Sequence, residues 1–171
     1  MELILNLDEH NYDPALPEIR RTAVRGVIFR EGKLLMIKSS FGEVKFPGGG
    51  QEAGEDDETT LLREVLEETG FQVVRESIRP FGEVIEKRLS MREPHIWHQK
   101  NHYYFCDIEG EQAAAQYTEN EQRYGMHQVW ITLEDALRVN REMVQREGRN
   151  PWNQRELKVL EMLREREIGK R

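Results

Sequence analysis

The chain has 171 residues, of which 37% are hydrophobic and 33% are charged, and its formal net charge is -7. A chain of this length and composition buries a core of ordinary size, so we expect one soluble domain over residues 1–171. The acidic balance disfavours non-specific binding to nucleic acid, whose phosphates require clustered Lys and Arg. It does not exclude nucleotides, because bound metal ions reverse the sign of the local field.

The single cysteine and the amino terminus indicate the compartment. Cys106 cannot form an intramolecular disulfide, which favours a reducing environment. It follows the apolar residues 103–105, and we expect it to be a packed strand residue rather than a nucleophile. The first ten residues do not form a secretory signal, and nowhere do about 18 apolar residues occur together. We therefore expect a cytoplasmic protein without a membrane partner.

Strand patterns lie on both sides of one central helix. Five segments concentrate apolar and β-branched residues between turn residues, and they cover residues 20–30, 33–39, 72–86, 98–108 and 129–131. A Glu31-Gly32 turn joins the first two, and a further short strand is predicted to end at Phe46. Strands before and after a helix, with another helix later, predict an α/β domain with a mixed sheet between helices.

Two more helices are predicted after the last strand. Thr132, with an acidic residue three positions later, forms a capping-box-like start for a helix over residues 133–145. Asn150 and Pro151 open a last helix over about 151–167. The apolar stripe of this helix consists of Leu157, Leu160 and Leu163. The stripe packs either on the same core or at a contact between two copies, so a homodimer stays open.

The central helix is predicted over residues 56–69, which contain neither glycine nor proline. Its apolar face consists of Leu61, Leu62, Val65 and Leu66. Asp56 and the two acidic residues after it suit the positive end of the helix dipole. Gly70 ends the helix, because glycine readily adopts the left-handed conformation that closes many helices.

Three glutamates of this helix share one face. Glu64, Glu67 and Glu68 lie at positions i, i+3 and i+4, where like charges repel each other. Only Arg63 lies near enough to relieve that repulsion. Clustered carboxylates suit hard cations such as Mg²⁺ or Mn²⁺, which are held by carboxylates, waters and substrate phosphates. The alternative interpretation is an acidic face exposed to solvent.

A glycine turn, residues 47–50 with the sequence Pro-Gly-Gly-Gly, precedes the helix. A backbone without side chains approaches a ligand closely and adopts positive φ angles. The turn is not a P-loop, because no Gly-Lys-Ser/Thr follows it.

The turn and the helix together form one motif, GGQEAGEDDETTLLREVLEETGF, over residues 49–71. Gly49, Glu55, Arg63 and the three glutamates stand at fixed spacings before Gly70 and Phe71. At a usage of roughly 7% each, seven such positions coincide by chance on the order of once in 10⁸ starting points. The segment resembles the signature of the Nudix hydrolase family (MutT-like) at every fixed position. The resemblance extends more loosely from Phe46 to about Trp130.

The resemblance implies an α/β/α sandwich with a central mixed sheet. It also implies hydrolysis, with Mg²⁺ or Mn²⁺, of a phosphoanhydride bond in a nucleoside diphosphate linked to another moiety. Glu64 and Glu68 would be direct metal ligands, and Glu67 would be a further ligand or a base. The carbonyl of Gly48, beside Gly49 of the motif, would lie next to the metal.

Other roles follow from the same resemblance. Glu55 would be a supporting carboxylate, and Arg63 would form an ion pair that orients the glutamates. Because the general base varies within the family, Glu64 and a carboxylate outside the motif both remain candidates. Nucleoside triphosphates, nucleotide sugars, dinucleoside polyphosphates and RNA 5′ ends all stay open as substrates, with RNA disfavoured by the charge.

Three residues outside the motif are weaker candidates. A distal carboxylate often completes the metal site in Nudix enzymes, and the loop with Glu119 and Glu121 is the place for it. Lys38 ends a strand that leads into the glycine turn, where it could contact a substrate phosphate. The alternative for all three is ordinary exposure to solvent.

A cluster of histidines and aromatic residues lies at the start of the predicted strand 98–108 and just before it. His95, His98 and His102 have a spacing that fits no standard zinc site. Trp97, or one of two nearby tyrosines, could stack on a purine, although packing is the favoured interpretation.

Two functions of other classes are retained. One is a catalytically silent nucleotide-binding or regulatory module that keeps the Nudix fold. The other is an isomerase of the isoprenoid type that shares the fold and uses an acid and a cysteine, here Cys106. The intact glutamate motif favours hydrolysis over both.

Overall fold

The computed structural model describes residues 1–110, 112–146 and 151–166, without the side chains of Asn120 and Glu121. The strands are Leu3–Asp8 (β1), Glu18–Val27 (β2), Phe29–Arg30 (β3), Lys33–Lys38 (β4), Val44–Lys45 (β5), Gly48–Gly50 (β6), Gln72–Val73 (β7), Arg79–Leu89 (β8), Ile96–Phe105 (β9), Ile108–Glu109 (β10) and His127–Thr132 (β11). The helices are Asp57–Thr69 (α1), Glu119–Arg123 (α2), Leu133–Val144 (α3) and Trp152–Glu165 (α4).

The largest sheet is mixed and has the strand order β1-β8-β9-β2-β6. The pairs β1/β8 and β2/β9 are parallel, whereas β8/β9 and β2/β6 are antiparallel. A second sheet has the order β11-β4-β3, with β5 also paired to β4. Strand β6 therefore places the glycine segment at an edge of the large sheet.

Helices cover the sheets on two sides. On one side, Leu61 and Val65 of α1 pack with Val24 and Ile28 of the β2–β3 segment. On the other side, α3 and α4 pack on a cluster that includes Phe46 and Tyr103. Successive side chains of β4 belong alternately to the two cores: Leu34 and Met36 lie in one cluster, and Leu35 lies in the other. The predicted α/β/α sandwich with a mixed sheet is confirmed.

Local sequence explains how α1 begins and ends. The carboxylate of Asp56 caps the helix by accepting a hydrogen bond from the Thr59 N–H at 2.8 Å. Gly70 has φ 75°, and its N–H donates to the Leu66 carbonyl at 2.8 Å. A Cβ at Gly70 would lie 2.0 Å from the carbonyl oxygen of Ala113, so a glycine is required there.

The last helix packs on the core of its own chain. The predicted stripe of Leu157, Leu160 and Leu163 is buried against the sheet and α3. Pro151 precedes the helix, and Asn150 lies outside the described residues. Among the helices of the described ranges, none has the length and apolar character needed to cross a membrane.

The amino-terminal strand, the glycine segment and the segment 72–86 differ from the sequence expectation. Strand β1 had no predicted counterpart, although it pairs with β8. The glycine segment, predicted to be a turn, forms the short strand β6 because its backbone pairs with β2. The segment 72–86 is two strands, β7 and β8, separated by a short 3₁₀ helix over Arg75–Ser77.

Candidate active site

The glycine strand β6 lies directly against the glutamate face of α1. Gly48 has φ 140°, and a Cβ there would lie 2.1 Å from the carbonyl oxygen of Val24. At Gly49, a Cβ would lie 2.5 Å from each carboxylate oxygen of Glu64. Both positions therefore need glycine, one for its approach to β2 and one for its approach to Glu64.

Glu64 is largely enclosed, with 14% of its side chain exposed. Burial, the largest effect, raises its pKa, while the guanidinium of Arg63 acts in the opposite direction. The Arg63 Nη1 donates to Glu64 Oε1 at 2.7 Å. Both carboxylate oxygens lie against Gly49, where a cation or a proton would compensate for the burial.

Glu68 connects the helix to the glycine strand. Its Oε2 accepts a hydrogen bond from the Gly48 N–H at 2.7 Å, and its Oε1 accepts one from Lys45 Nζ at 2.7 Å. Only 3% of the side chain is exposed. Glu67, one position earlier, has 41% of its side chain exposed and lies 3.3 Å from Arg63 Nη1. The three glutamates therefore share a helix face but differ in burial.

Arg63 joins the start of the motif to its helix. Its Nε and Nη2 donate to the two carboxylate oxygens of Glu55 at 2.7 and 2.8 Å. The same Nη2 donates to the Gly50 carbonyl at 3.1 Å. The Arg63 guanidinium, as the largest cause, lowers the pKa of Glu55 to about 2. A bidentate ion pair of this kind holds two planar groups in one orientation.

The Gly48 carbonyl, an expected metal ligand, is contacted by a residue that the sequence analysis did not select. The buried Arg25 donates from Nη1 to this carbonyl at 3.1 Å. Its Nε also donates to Asn101 Oδ1 at 3.4 Å and lies 3.9 Å from Glu156 Oε1. The backbone of the glycine strand is thereby held from both sides of the sheet, by Arg25 and by Glu68.

The donor atoms fit a hard divalent cation. Carboxylate and carbonyl oxygens are the ligands that Mg²⁺ and Mn²⁺ prefer, and here they come from Glu64, Glu68 and Gly48. The glycine at position 49 leaves free the space beside Glu64 that a side chain would fill. Within the described ranges, no three Asp, Glu, His or Cys side chains already converge at metal distance. A metal ion would therefore bring these ligands closer together and compete with Lys45 and Arg25 for them.

Comparison with known proteins identifies the family. A family model described as the NUDIX domain matches residues 19–152. The chain belongs to the Nudix family. Together with neighbours named MutT, this match indicates a Nudix pyrophosphohydrolase, a hydrolase acting on acid anhydrides. No curated protein sequence matches significantly.

Solved structures share the fold. A NUDIX hydrolase from Nitrosomonas europaea has 16% sequence identity and a TM-score of 0.59, covering 84% of this chain and 90% of that chain. The ORF135 protein of E. coli has 22% identity and a TM-score of 0.55, covering 85% and 91%. A MutT NUDIX hydrolase from Burkholderia pseudomallei has 19% identity and a TM-score of 0.54, covering 82% and 97%.

Lys45 contacts the Nudix glutamate Glu68, whereas Lys38 stays a predicted contact for a substrate phosphate. Lys38 ends β4 and stands opposite Val44 in the pairing with β5. Lys45, one position later, carries the ion pair with Glu68. The sequence could have indicated Lys45, because it lies two positions before Pro47 at the start of the glycine segment.

The distal acidic segment forms a short helix instead of the expected loop. Glu119 begins α2 and is exposed to solvent, and the side chain of Glu121 lies outside the described residues. The segment before α2 contacts the Nudix helix, since the Gln116 N–H donates to the Glu67 carbonyl at 2.6 Å. The chain thus returns to the end of α1 just before these two glutamates.

A buried ionic network lies beneath the glycine segment. Arg155 of α4 donates to Glu86 of β8, and its Nη2 donates to Glu156 Oε1 at 2.7 Å. Glu156 Oε2 accepts a hydrogen bond from the Phe46 N–H at 2.9 Å, next to Pro47. All three ionic side chains are buried. The network links the last helix to the backbone that leads into the Nudix motif.

A pocket of about 180 Å³ opens beside this network. Its walls include Lys45, Arg88, Trp97 and Trp152. Because Lys45 also contacts Glu68, the pocket adjoins the Nudix glutamates. The pocket combines aromatic faces, on which a base can stack, with positive charge, which binds phosphate.

The remaining candidates lie apart from the Nudix glutamates. His98 contacts Glu18 at 2.8 Å, and His102 lies between Asp57 and Glu83 at 2.7 and 2.9 Å. Cys106 is buried, as expected, just after β9, and burial raises its pKa to about 12. A thiol with that pKa is protonated at neutral pH, so it lacks the thiolate that a nucleophile needs.

Proposed function

We propose that the protein hydrolyses, with a divalent metal ion, the phosphoanhydride bond of a nucleoside diphosphate linked to another moiety. The observation that carries the proposal is the contact of the Glu64 carboxylate with Gly49, beside the bond from Gly48 to Glu68. Hard oxygen ligands and a side-chain-free backbone strand occur together there. Mg²⁺ or Mn²⁺ is the cofactor that this donor set favours.

Glu64, Glu68 and the Gly48 carbonyl would hold the metal, with Glu67 as a further ligand or base. When bound, the metal would neutralise phosphate charge and activate water near neutral pH. Arg63 keeps the glutamates oriented through its ion pair with Glu55.

The raised pKa of Glu64 also makes this carboxylate a better proton acceptor than an exposed glutamate. It therefore stays a candidate for the general base, alongside a carboxylate outside the motif.

The pocket supports a nucleotide derivative as the substrate. Trp97 and Trp152 present aromatic surface. A nucleoside or its linked moiety would fill the pocket while the diphosphate lies at Glu64 and Glu68. Neighbouring structures named MutT act as hydrolases of the same fold, which is consistent with this class.

The test is a panel assay with Mg²⁺ and then Mn²⁺. Nucleoside triphosphates, ADP-ribose, nucleotide sugars and dinucleoside polyphosphates are incubated with the protein, and released phosphate products are measured. We expect turnover of at least one compound by the wild type and a loss of about 10²-fold or more in Glu68→Gln. The matched control is Glu58→Gln, on the first turn of the same helix and paired with Arg75 at the surface.

The alternative is a catalytically silent nucleotide-binding module. It is favoured by one observation, namely that the protein's own cations already contact two expected metal ligands: Lys45 contacts Glu68 and Arg25 contacts Gly48. Nucleotide binding without turnover in either metal would support this module and contradict hydrolysis. The isomerase alternative is disfavoured, because the buried Cys106 is protonated at neutral pH.

We further propose that residues 1–171 form one domain and that the protein is cytoplasmic. The packing of α4 on α3 and the sheet supports the first statement, and the single cysteine supports the second. A homodimer stays a prediction, and light scattering at two concentrations would test it.

A further inference from the structure

Two buried polar side chains stand side by side in the wall of the pocket. Gln99 of β9 and Glu86 of β8 are paired directly across these two antiparallel strands, so their Cβ atoms lie about 5 Å apart. Both line the pocket that also contains Lys45 and Trp152. Only 6% of Gln99 and 5% of Glu86 is exposed. A ligand that fills the pocket therefore comes into contact with both side chains.

A neighbouring asparagine fixes the orientation of the glutamine amide. Asn101 Oδ1 accepts a hydrogen bond from Arg25 Nε at 3.4 Å, and Asn101 Nδ2 donates to Glu86 Oε2 at 3.0 Å. A guanidinium only donates and a carboxylate only accepts, so the two ends of the Asn101 amide cannot be exchanged. Gln99 must then donate from its Nε2 to Asn101 Oδ1, and these atoms are 2.7 Å apart. The atom of the Gln99 amide that remains is the carbonyl oxygen Oε1.

Two acceptor oxygens are left without a donor at this point. Among the described residues, no hydrogen bond reaches Gln99 Oε1 or Glu86 Oε1, and the other oxygen of Glu86 accepts from Asn101 and Arg155. Burial acts to raise the pKa of Glu86, but the adjacent Arg155 guanidinium holds this pKa below its usual range. Glu86 is therefore ionised and can only accept. A ligand that supplies donors to both oxygens gains binding energy, because the buried side chains have little contact with bulk water.

The order of the strands gives a bound nucleotide its direction. The large sheet contains the order β8-β9-β2-β6, so Gln99 lies two strands from the glycine strand and Glu86 lies three. At about 4.8 Å per strand, Gln99 is on the order of 10 Å from β6, a distance that a ribose and a phosphate can bridge. Lys45, which contacts Glu68, marks the end of the pocket at the Nudix glutamates. The Glu86 carboxylate would repel a phosphate, so the base belongs at Gln99 and Glu86.

We propose that Gln99 and Glu86 select the base of the nucleotide by accepting hydrogen bonds from two adjacent N–H groups. Of the common bases, guanine presents such an edge, through its N1–H and its 2-amino group. Adenine and cytosine place a ring nitrogen that accepts beside their amino group, and uracil places a carbonyl on each side of its N3–H. One acceptor of the pocket would then face another acceptor, which is unfavourable.

The expected substrates are therefore guanine nucleotides linked to another moiety. The assignment to a substrate rests on the proposed function, whereas binding of the base itself needs no hydrolysis. Gln99 is thus a residue that determines specificity, and it takes no part in the chemistry at the Nudix glutamates.

The first experiment measures binding without turnover. Isothermal titration calorimetry in EDTA compares the nucleoside monophosphates GMP, IMP, AMP, CMP and UMP, which contain no phosphoanhydride bond. We expect the wild type to bind GMP about tenfold or more tightly than AMP, CMP and UMP. IMP is the sharpest comparison, because it differs from GMP only in lacking the 2-amino group, and we expect it to bind about tenfold more weakly.

The substitution Gln99→Met tests the same site from the side of the protein. It keeps the length of the side chain and removes the acceptor, so GMP should bind about tenfold more weakly while the affinity for AMP changes little. The matched control is Gln72→Met, an exposed glutamine on β7 outside the pocket. Equal affinity of the wild type for GMP and IMP would overturn the proposal, and so would equal affinity of the two variants for GMP. Absence of binding for all five compounds would also overturn it. The comparison of GMP with IMP uses the wild type and decides the matter even if Gln99→Met fails to fold.

The second experiment separates this site from the proposed function. In an assay with Mg²⁺ and sugars linked to GDP or ADP, Gln99→Met should raise KM about tenfold for the GDP compounds and leave kcat nearly unchanged. Glu68→Gln should abolish turnover and still prefer GMP to IMP in EDTA. If no compound is hydrolysed but the preference for GMP depends on Gln99, the base site stands and the hydrolase proposal fails. If GDP and ADP compounds are hydrolysed equally well and GMP and IMP bind equally, the hydrolase stands and this site fails.

Discussion

At the scale of single residues, the site depends on positions without a side chain as much as on charged groups. Gly49 allows the Glu64 carboxylate to lie against the backbone, and Gly48 allows the strand to approach β2. Arg63 then holds Glu55 and the Gly50 carbonyl in fixed positions. Because each contact leaves no room for a side chain or a shift, small substitutions here should have large effects on activity.

The substitution Gly49→Ala tests the close approach of Glu64. The added Cβ would meet both carboxylate oxygens at 2.5 Å, so the Glu64 side chain must move. A displacement of about 1 Å at a catalytic group commonly costs about 10²-fold in rate, and we expect a loss of that size in kcat/KM. Steady-state kinetics on the substrate found in the panel assay would measure it.

Gly32→Asn is the control for this change. Gly32 lies in the turn before β4 with φ 73° and open space around its Cβ, and asparagine tolerates that conformation. Its activity should match the wild type. Wild-type activity in Gly49→Ala would contradict the role assigned to this glycine.

The Glu55–Arg63 ion pair predicts a change of stability with pH. The folded pKa of Glu55, about 2, is below its usual value of 4.5, so the pair stabilises the native state fully above about pH 4.5. That contribution is lost as the pH falls from 4.5 towards 2. We expect Tm to fall more steeply over this window in the wild type than in Glu55→Gln, as measured by circular dichroism. Parallel curves for the two proteins would show that the pair does not stabilise the fold.

At the scale of elements, α4 does more than cover the core. Its apolar stripe packs on the sheet, while Arg155 and Glu156 connect β8 to the segment before Pro47. The glycine strand is thus supported from beneath by a helix whose residues lie about a hundred positions later in the chain. Its position therefore depends on both α1 and α4.

The substitution Arg155→Met should destabilise the protein by about 3–5 kcal/mol. It removes the cation that compensates Glu86 and Glu156, and an uncompensated buried charge has a cost of that order. Urea denaturation would give the free energy of unfolding. The control is Lys158→Met on the same helix, whose partly exposed pair with Glu161 should contribute less than about 1 kcal/mol. Similar losses in both variants would contradict the role of the buried network.

At the scale of the whole molecule, the two helical layers lie on opposite sides of the sheets, and each contacts the segment that carries the glycine strand. The Nudix helix supplies carboxylates, and Lys45 of β5 and Arg25 of β2 supply positive charge. Negative and positive groups therefore lie next to each other across the glycine strand. This separation of charge suits a metal ion on one side and phosphate oxygens on the other.

A metal that binds only the folded state should stabilise the whole molecule. At a concentration about 100-fold above Kd, the expected gain is about 2.7 kcal/mol, which raises Tm measurably. We expect Mg²⁺ or Mn²⁺ to raise the Tm of the wild type and of Glu58→Gln. The same ions should leave Glu64→Gln and Glu68→Gln unchanged. A rise of equal size in these two variants would place the metal elsewhere.

Local patterns were sufficient for much of the fold. Helix α1, with its cap at Asp56 and its end at Gly70, follows from contacts within a few residues. The helix start at Thr132 is of the same kind, since its side chain accepts from the Asp135 N–H. Strand β1 was missed because its pairing partner, β8, lies far along the chain and its residues are only half buried.

The sequence by itself determined the family, the sandwich architecture and the set of glutamates, because their spacing in one helix is a local property. Only the tertiary structure showed that Lys45 contacts Glu68, that Arg25 contacts the Gly48 carbonyl, and that Arg21 contacts the Trp97 ring. These contacts join residues from about 20 to 80 positions apart. Which distant side chains meet depends on strand order and register, and no local pattern of residue types encodes those.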